Sequence, residues 1–224
     1  MAKQIVIAFE GIDGSGKTVQ MQRLENALKA RGKSVLTRSF PAYKSFFGER
    51  IGSLLSGAAG VRADQVDAKS MALWFAMDRW ADFQDRDTSN ADVLLINRYV
   101  LSNAVYQSIR ERDLSEPDIL DWVNELEYKR LALPEPDVHL VLDVQPNDAG
   151  RNVDKKGFRE YVGEARDVYE SAGGIQARAR EKYLEYAKRC RNIVVVDCME
   201  QGSLLPEDEV FNRIESALSE CGVL

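Results

Sequence analysis

Ile5-Val6-Ile7-Ala8-Phe9-Glu10-Gly11-Ile12-Asp13-Gly14-Ser15-Gly16-Lys17-Thr18 decides the fold. Ile5 to Phe9 is apolar without alternation, the pattern of a strand buried on both faces in a parallel sheet. The glycine-rich turn after it matches G-x-x-x-x-G-K-[ST] from Gly11 to Thr18. Val19 to Arg31 then carries Met21, Leu24 and Leu28 at helical spacing, with Gly32 at the C′ position. Ser34-Val35-Leu36-Thr37 begins a second strand. The order β-loop-α-β is the unit from which right-handed parallel sheets are built.

The alternation continues outward from this stretch. Residues 64–85 read as a helix capped by Asp64, with Met71, Ala72 and Phe75 near one face. Val93 to Ile96 is a third buried strand. Ser115-Glu116-Pro117-Asp118 reads as an N-cap with proline in the first turn and an acid at N3. The helix it opens is expected to run to about Leu133 and stop at Pro134. Val138 to Val144 is a fourth strand and Ile193 to Val196 a fifth, preceded by a helix from Ile175 to Arg189. A last helix covers about Pro206 to Leu218, its acidic start, Glu207-Asp208-Glu209, favoured by the helix dipole. Residues 150–167 hold many charges and three glycines and are the candidate lid. With no repeat and no linker, the expectation is one α/β domain over residues 1–224, a doubly wound five-stranded parallel sheet flanked by helices.

Composition excludes several classes. The chain has 224 residues, 45% hydrophobic and 29% charged, enough to bury a core. Thirty basic against thirty-six acidic residues leave a net charge of −6, which argues against a partner that is a nucleic-acid polymer. Any phosphate must be held locally. Cys190, Cys198 and Cys221 are odd in number and form no CxxC pair, which speaks against a disulfide framework or zinc site. No apolar run approaches the roughly 18 residues of a membrane helix. Met1 to Gln4 lead straight into a strand pattern without a signal peptide, so a soluble cytoplasmic protein with no membrane partner is expected. The lone His139 falls within a strand and reads as structural.

The Gly11–Thr18 loop carries the first chemistry. Its glycines let backbone N–H groups turn inward onto phosphate oxygens, and the following helix dipole favours an anion. The ATP-binding set is therefore Gly11, Ile12, Asp13, Gly14, Ser15, Gly16, Lys17 and Thr18. Lys17 reaches the β- and γ-phosphates, and the Thr18 hydroxyl is the expected Mg²⁺ ligand. GTPases, motor ATPases and small-molecule kinases all share such a loop, so the loop alone leaves the fate of the nucleotide open.

Five segments, the loop among them, occur in order. They are the loop within Phe9–Thr18, Phe40-Pro41, Phe75 with Arg79, Arg98-Tyr99 with Ser102 to Tyr106, and Tyr169-Glu170 with Gln176 and Arg178. Over about residues 4–198 the chain resembles the thymidylate kinase family, P-loop kinases of nucleoside monophosphates. The resemblance implies ATP-dependent phosphorylation of dTMP to dTDP for dTTP synthesis, with Mg²⁺, and a homodimer built through helices such as 64–85. It implies that Phe75 stacks on the base, Arg79 donates to thymine O4, and Asn103 meets the N3–H and adjacent carbonyl. Phe75 and Arg79 are four apart and share a helix face, which suits that reading. Tyr106 would pack under the deoxyribose, Asp13 would lie between the substrates, and Arg98 would hold the acceptor phosphate. Phe40, Pro41 and, more weakly, Tyr43 and Lys44 belong to the acceptor side. One methyl is worth only about 1–3 kcal/mol, so dTMP is expected to be preferred over dUMP without absolute rejection.

Two departures matter. The family places a transfer-promoting arginine in the P-loop or in the lid, and position 14 here is glycine. The basic group is then expected from Arg151, Lys155, Lys156, Arg159 and Arg166, with Arg151 and Arg159 preferred. The family's usual Asp-Arg after the third strand is Asn97-Arg98 here. An amide accepts a hydrogen bond from metal-bound water but brings no charge. The alternatives are a kinase with a different acceptor and, because of Asn97, a non-catalytic nucleotide-binding homologue. Asn97→Asp is expected to lower the Mg²⁺ concentration giving half-maximal turnover. An unchanged or higher requirement in a magnesium titration would mean that Asp13 or Asp143 organises the ion instead.

Overall fold

The computed structural model describes residues 3–58, 60–88, 90–111, 118–155 and 174–224. Five strands, β1 (Ile5–Glu10), β2 (Val35–Ser39), β3 (Val93–Asn97), β4 (Val138–Asp143) and β5 (Ile193–Asp197), form one parallel sheet in the order β2-β3-β1-β4-β5. The helices among the described residues are α1 (Lys17–Ala30), α2 (Phe46–Ser56), α3 (Ala68–Asp85), α4 (Val100–Ser108), α5 (Ile119–Asn124), α6 (Pro146–Lys155), α7 (Ile175–Arg189) and α8 (Glu207–Glu220). The unbroken apolar strands are buried as their composition demands: Ile7, Ala8, Phe9 and all of Val93–Ile96 have no exposed surface. The chain winds one way from β1 to β2 and the other way from β3 to β4. That reversal opens a crevice beside β1 at the carboxyl ends of the strands. The glycine loop leaves β1 at that edge, and Arg98 follows β3 at the same edge.

The structure moves two helix starts. α3 begins at Ala68, and Asp67, not Asp64, caps it by accepting the Ser70 N–H at 2.9 Å. Asp64 lies in a separate 3₁₀ turn, Ala63–Gln65, where it pairs with Arg62. Asp118 is itself the cap of α5, accepting the Leu120 N–H at 3.0 Å, and not an N3 acid. Ser115, Glu116 and Pro117 lie outside the described residues. Beyond Asn124 the backbone widens into a π-helical turn, Glu125–Arg130, and does not continue as α-helix to Leu133. Three helices, α2, α4 and α6, were not expected from the sequence, the last overlapping the start of the candidate lid. α2 holds Gly48 because a Cβ there would stand 1.9 Å from the Ala42 carbonyl oxygen, and this glycine masks a helix that Ser45 caps. α4 is buried at nearly every position, so no polar face marks its period.

No helix among the described residues is long and apolar enough to cross a membrane. His139 is buried in β4, its Nδ1 3.6 Å from Glu10, as a structural residue would be. Cys198 is buried and Cys221 exposed. Burial pushes the Cys198 thiol up to about 12. At pH 8 its thiolate is therefore only about one part in 10⁴. Titration with a disulfide reagent at pH 8 is expected to label Cys221 at once and Cys198 only after unfolding. Rapid labelling of Cys198 in the folded chain would show that the β5–α8 packing opens readily.

Candidate active site

The glycine loop is shaped by its neighbours. Gly14 has φ +80°, and a Cβ on it would lie 2.0 Å from the Ala149 carbonyl oxygen in α6. Asn152 Nδ2 donates to the Gly14 carbonyl at 3.0 Å, so α6 sits directly on the loop. No side chain fits position 14 while α6 holds this place, and an arginine is excluded there by sterics. Lys17 is buried, its ammonium donating to the carbonyls of Gly11 (3.0 Å) and Ile12 (2.7 Å) and to the Ser15 hydroxyl (3.3 Å). A cation held inside a ring of loop atoms is ready to meet phosphate oxygens. Thr18 is exposed at the start of α1.

Beside the loop lies a cavity. Asp13, Phe40, Pro41, Tyr43, Phe75, Arg79, Arg98, Asn103 and Tyr106 all line it. The structure thus brings together every residue expected on the acceptor side except Lys44. Ser102 and Gln107 line it too; the sequence reading quoted Ser102 in its segment without giving it a role and passed over Gln107. Gln107 follows Asn103 by four residues on α4, so it shares the face of a residue already in view. Its Nε2 is buried without a partner among the described residues, an unspent donor. The 42–45 loop is fastened by buried Asp78, which accepts the Ala42 N–H at 2.8 Å and the Ser45 hydroxyl at 2.7 Å.

One end of the cavity is charged. Arg98 pairs with Asp13, and its guanidinium lies over the Tyr106 ring at 5.7 Å. Burial opposes the Arg98 charge, but Asp13 together with Tyr106, Tyr183 and Tyr43 outweighs it and holds the group well above its ordinary value. Arg98 itself has φ 61°, a left-handed backbone uncommon outside glycine that clusters at functional sites. Asp13 is clamped from α7. Its N–H donates to Gln176 Oε1 at 3.1 Å, and Gln176 Nε2 donates to its carboxylate at 3.0 Å. Tyr106 also donates to Gln176 Oε1 at 3.0 Å. Burial and Asp13 push the Tyr106 phenol well up, so it stays a donor.

The opposite end is held by a pair the sequence did not reveal. Arg79 donates twice, at 2.6 Å each, to Glu127 in the π-helical turn. Both are almost fully buried. Burial opposes the Arg79 charge, and Glu127 keeps the guanidinium protonated. Asn103 Nδ2 donates to Glu127 (2.9 Å) and to the Ala72 carbonyl (3.0 Å). The expectation that Asn103 offers both a donor and an acceptor to a ligand is corrected here: both amide hydrogens are taken, and only Oδ1 remains, buried and without a partner among the described residues.

The lid candidates are placed differently. Arg151 lies on α6 with its side chain 76% exposed, 3.2 Å from Asp148, and does not line the cavity. Arg159, Lys156 and Arg166 fall outside the described residues, as do Tyr169 and Glu170. At the end of β3, Asn97 Nδ2 donates to Ser39 at 3.1 Å, while its Oδ1 is buried without a partner among the described residues. Among the described residues no three His, Cys, Asp or Glu side chains converge to hold a metal.

Comparison with known proteins shows what the chain is similar to. A family model described as thymidylate kinase matches residues 9–207. A thymidylate kinase of Mycobacterium tuberculosis (strain ATCC 25618 / H37Rv) is 36% identical over 186 residues, 82% of this chain and 86% of that one. A probable thymidylate kinase of Sulfolobus acidocaldarius is 30% identical over 199 residues, 86% of this chain and 87% of that one. The solved structure of Candida albicans thymidylate kinase superposes with a TM-score of 0.73 at 20% identity, covering 100% of this chain and 94% of that one, and so shares the fold.

The contact at Gly14 yields a direct test. Gly14→Ala is expected to lower ATP affinity at least tenfold in calorimetry. A left-handed alanine alone costs about 1–2 kcal/mol, and the 2.0 Å approach to Ala149 forces α6 or the loop aside. Unchanged affinity would show that the loop has room that the geometry denies.

Proposed function

The chain belongs to the thymidylate kinase family, and we propose that it transfers the γ-phosphate of ATP to dTMP, giving dTDP and ADP, with the triphosphate on the Gly11–Thr18 loop and dTMP in the adjoining cavity. The observation that carries this reading is the cavity itself. An aromatic ring, Phe75, and a donor–acceptor pair, Arg79 and Asn103 Oδ1, line it together with Arg98, which neighbours the loop residue Asp13. That arrangement suits a planar base at one end and a phosphate at the other.

Phosphoryl transfer needs alignment, charge neutralisation and exclusion of water more than covalent help. An oxygen of the dTMP phosphate attacks the γ-phosphorus, the β–γ bridging bond breaks, and its electrons leave with ADP. Lys17 exchanges its loop carbonyls for β- and γ-phosphate oxygens. Arg98, fixed by Asp13, binds the acceptor phosphate. Tyr106 and Asp13, both held by Gln176, border the sugar. Phe40 and Pro41 close one wall, and Tyr43 reaches toward the phosphate side. Arg151 and Arg159 remain the basic groups assigned to the transferring phosphoryl, since Gly14 leaves the loop without one.

A magnesium ion fits the donor set. The Thr18 hydroxyl is a hard oxygen ligand, and Asn97 Oδ1, without a partner among the described residues, can accept from a metal-bound water. The lack of a converging acidic cluster among the described residues suits an ion that takes most of its ligands from phosphate and water. Magnesium, when bound, neutralises phosphate charge. Phe46, 77% exposed on α2, and Leu73, 43% exposed on α3, support a homodimer through these helices. Free thiols suit a reducing, cytoplasmic setting.

An ADP-release assay with Mg²⁺-ATP and dTMP, dUMP, dCMP, dGMP or thymidine tests the acceptor. The expected order is dTMP first and dUMP behind it by about 10- to 100-fold, the value of one methyl in an apolar pocket. Faster turnover of another acceptor would reassign the substrate, and ATP binding without turnover of any acceptor would make the chain a non-catalytic binder.

A further inference from the structure

Resting on the reading of the cavity as a thymine-nucleotide site, we infer that Glu127 is a positioning residue that decides which pyrimidine the cavity accepts. Glu127 does not line the cavity; it acts through two residues that do. Its carboxylate takes Arg79 Nε and Nη2 at 2.6 Å each and Asn103 Nδ2 at 2.9 Å. The second hydrogen of the Asn103 amide goes to the Ala72 carbonyl at 3.0 Å. A carboxylate only accepts hydrogen bonds, and so does a backbone carbonyl. The two together fix the amide with its nitrogen turned away and its oxygen left over. Asn103 Oδ1 is that leftover atom, buried with no partner among the described residues. The same carboxylate fixes the Arg79 guanidinium through Nε and Nη2, and the donor offered to a ligand comes from the N–H groups outside that pair.

The ligand therefore meets one fixed acceptor beside one fixed donor. The imide edge of thymine presents the complement, an N3–H donor next to the O4 carbonyl. Cytosine presents the reverse, an N3 acceptor next to an N4 amino donor, and mismatches both atoms. A polar site that leaves buried groups unpaired rejects the wrong ligand strongly. The choice depends on Glu127 being an acceptor on both oxygens. A neutral glutamine there would point an amino group at Arg79 or at Asn103. Asn103 could then turn over, and the edge would no longer be specified.

The test is steady-state kinetics with dTMP and dCMP on the wild-type chain, Glu127→Gln and Glu127→Asp, with thermal unfolding of each. Glu127→Gln is expected to raise the KM for dTMP at least tenfold with the KM for ATP unchanged within twofold. The ratio of kcat/KM for dTMP over dCMP is expected to fall at least tenfold. Glu127→Asp, which keeps the charge on a shorter arm, should lie between. If Glu127→Gln does not fold, Glu127→Asp is read by the same two criteria. An unchanged dTMP-to-dCMP ratio sinks the inference, whether the KM values stay put or rise together for dTMP and ATP. A wild-type chain inert toward dTMP overturns the acceptor reading as well, so the two failures are distinguished.

Discussion

Taking a charge out of water costs several kcal/mol per ion, and it is recovered only if a partner and its hydrogen bonds surround the group. This site is built under that constraint. Glu10, Lys17, Asp78, Arg79 and Glu127 are all buried, and each is neutralised or hydrogen-bonded by a group on a different segment or on the loop itself. Glu10 at the end of β1 takes the Tyr99 N–H at 3.1 Å and the Ser102 hydroxyl, which ties the central strand to α4. Burial would push Glu10 up, yet His139, Ser102 and the Tyr99 N–H together hold it below the ordinary carboxylate value. Asp78 ties α3 to the 42–45 loop, and Glu127 ties α3 and α4 to the π-helical turn. Breaking one buried pair costs about 3–5 kcal/mol, a large share of the roughly 5–15 kcal/mol that holds a domain together. The groups that shape the cavity are thus also the groups that hold the walls in place.

What could be read beforehand follows the range of the interactions. The sheet was legible because a strand buried on both faces has no choice but to be apolar throughout. The phosphate loop was legible because its glycines and lysine are adjacent in the chain. Phe75 and Arg79 could be placed on one face because four residues make about one helical turn. Glu127 could not be read, since it reaches Arg79 across 48 residues and nothing near it in sequence announces a site. Gln176 clamps Asp13 across 163 residues, and only the fold makes them neighbours. The misplaced cap has a simpler cause. Asp64 and Asp67 are both good caps three residues apart, and the 3₁₀ turn that separates their roles is set by Arg62 and Gln65.

On the function proposed above, the loop and the strand beside it share the handling of phosphate. Gly14 lies against Ala149 and offers no space for a basic side chain, so the cation must come from elsewhere. Arg98 stands at the end of β3 beside the loop, and its left-handed backbone carries a cost of about 1–3 kcal/mol. The Arg98 N–H bonded to the Phe9 carbonyl at 3.0 Å and the pair with Asp13 offset that cost. The same strand end holds Asn97, whose Oδ1 is buried without a partner among the described residues and brings no charge to that edge.

The π-helical turn at Glu125–Arg130 has a consequence for how this chain can change over evolution. Such a turn holds one residue more than an α-helical turn, and it is kept as a local bulge despite its poorer geometry. Loss of a single residue between Asn124 and Glu127 would let the helix relax to ordinary pitch, an easy change for the backbone. It would also swing the residue at 127 by roughly 100° around the axis, the angle of one α-helical step. A lineage that tidied this helix would therefore strand Arg79 without its counter-charge, which makes the length of this segment harder to alter than most of its individual letters.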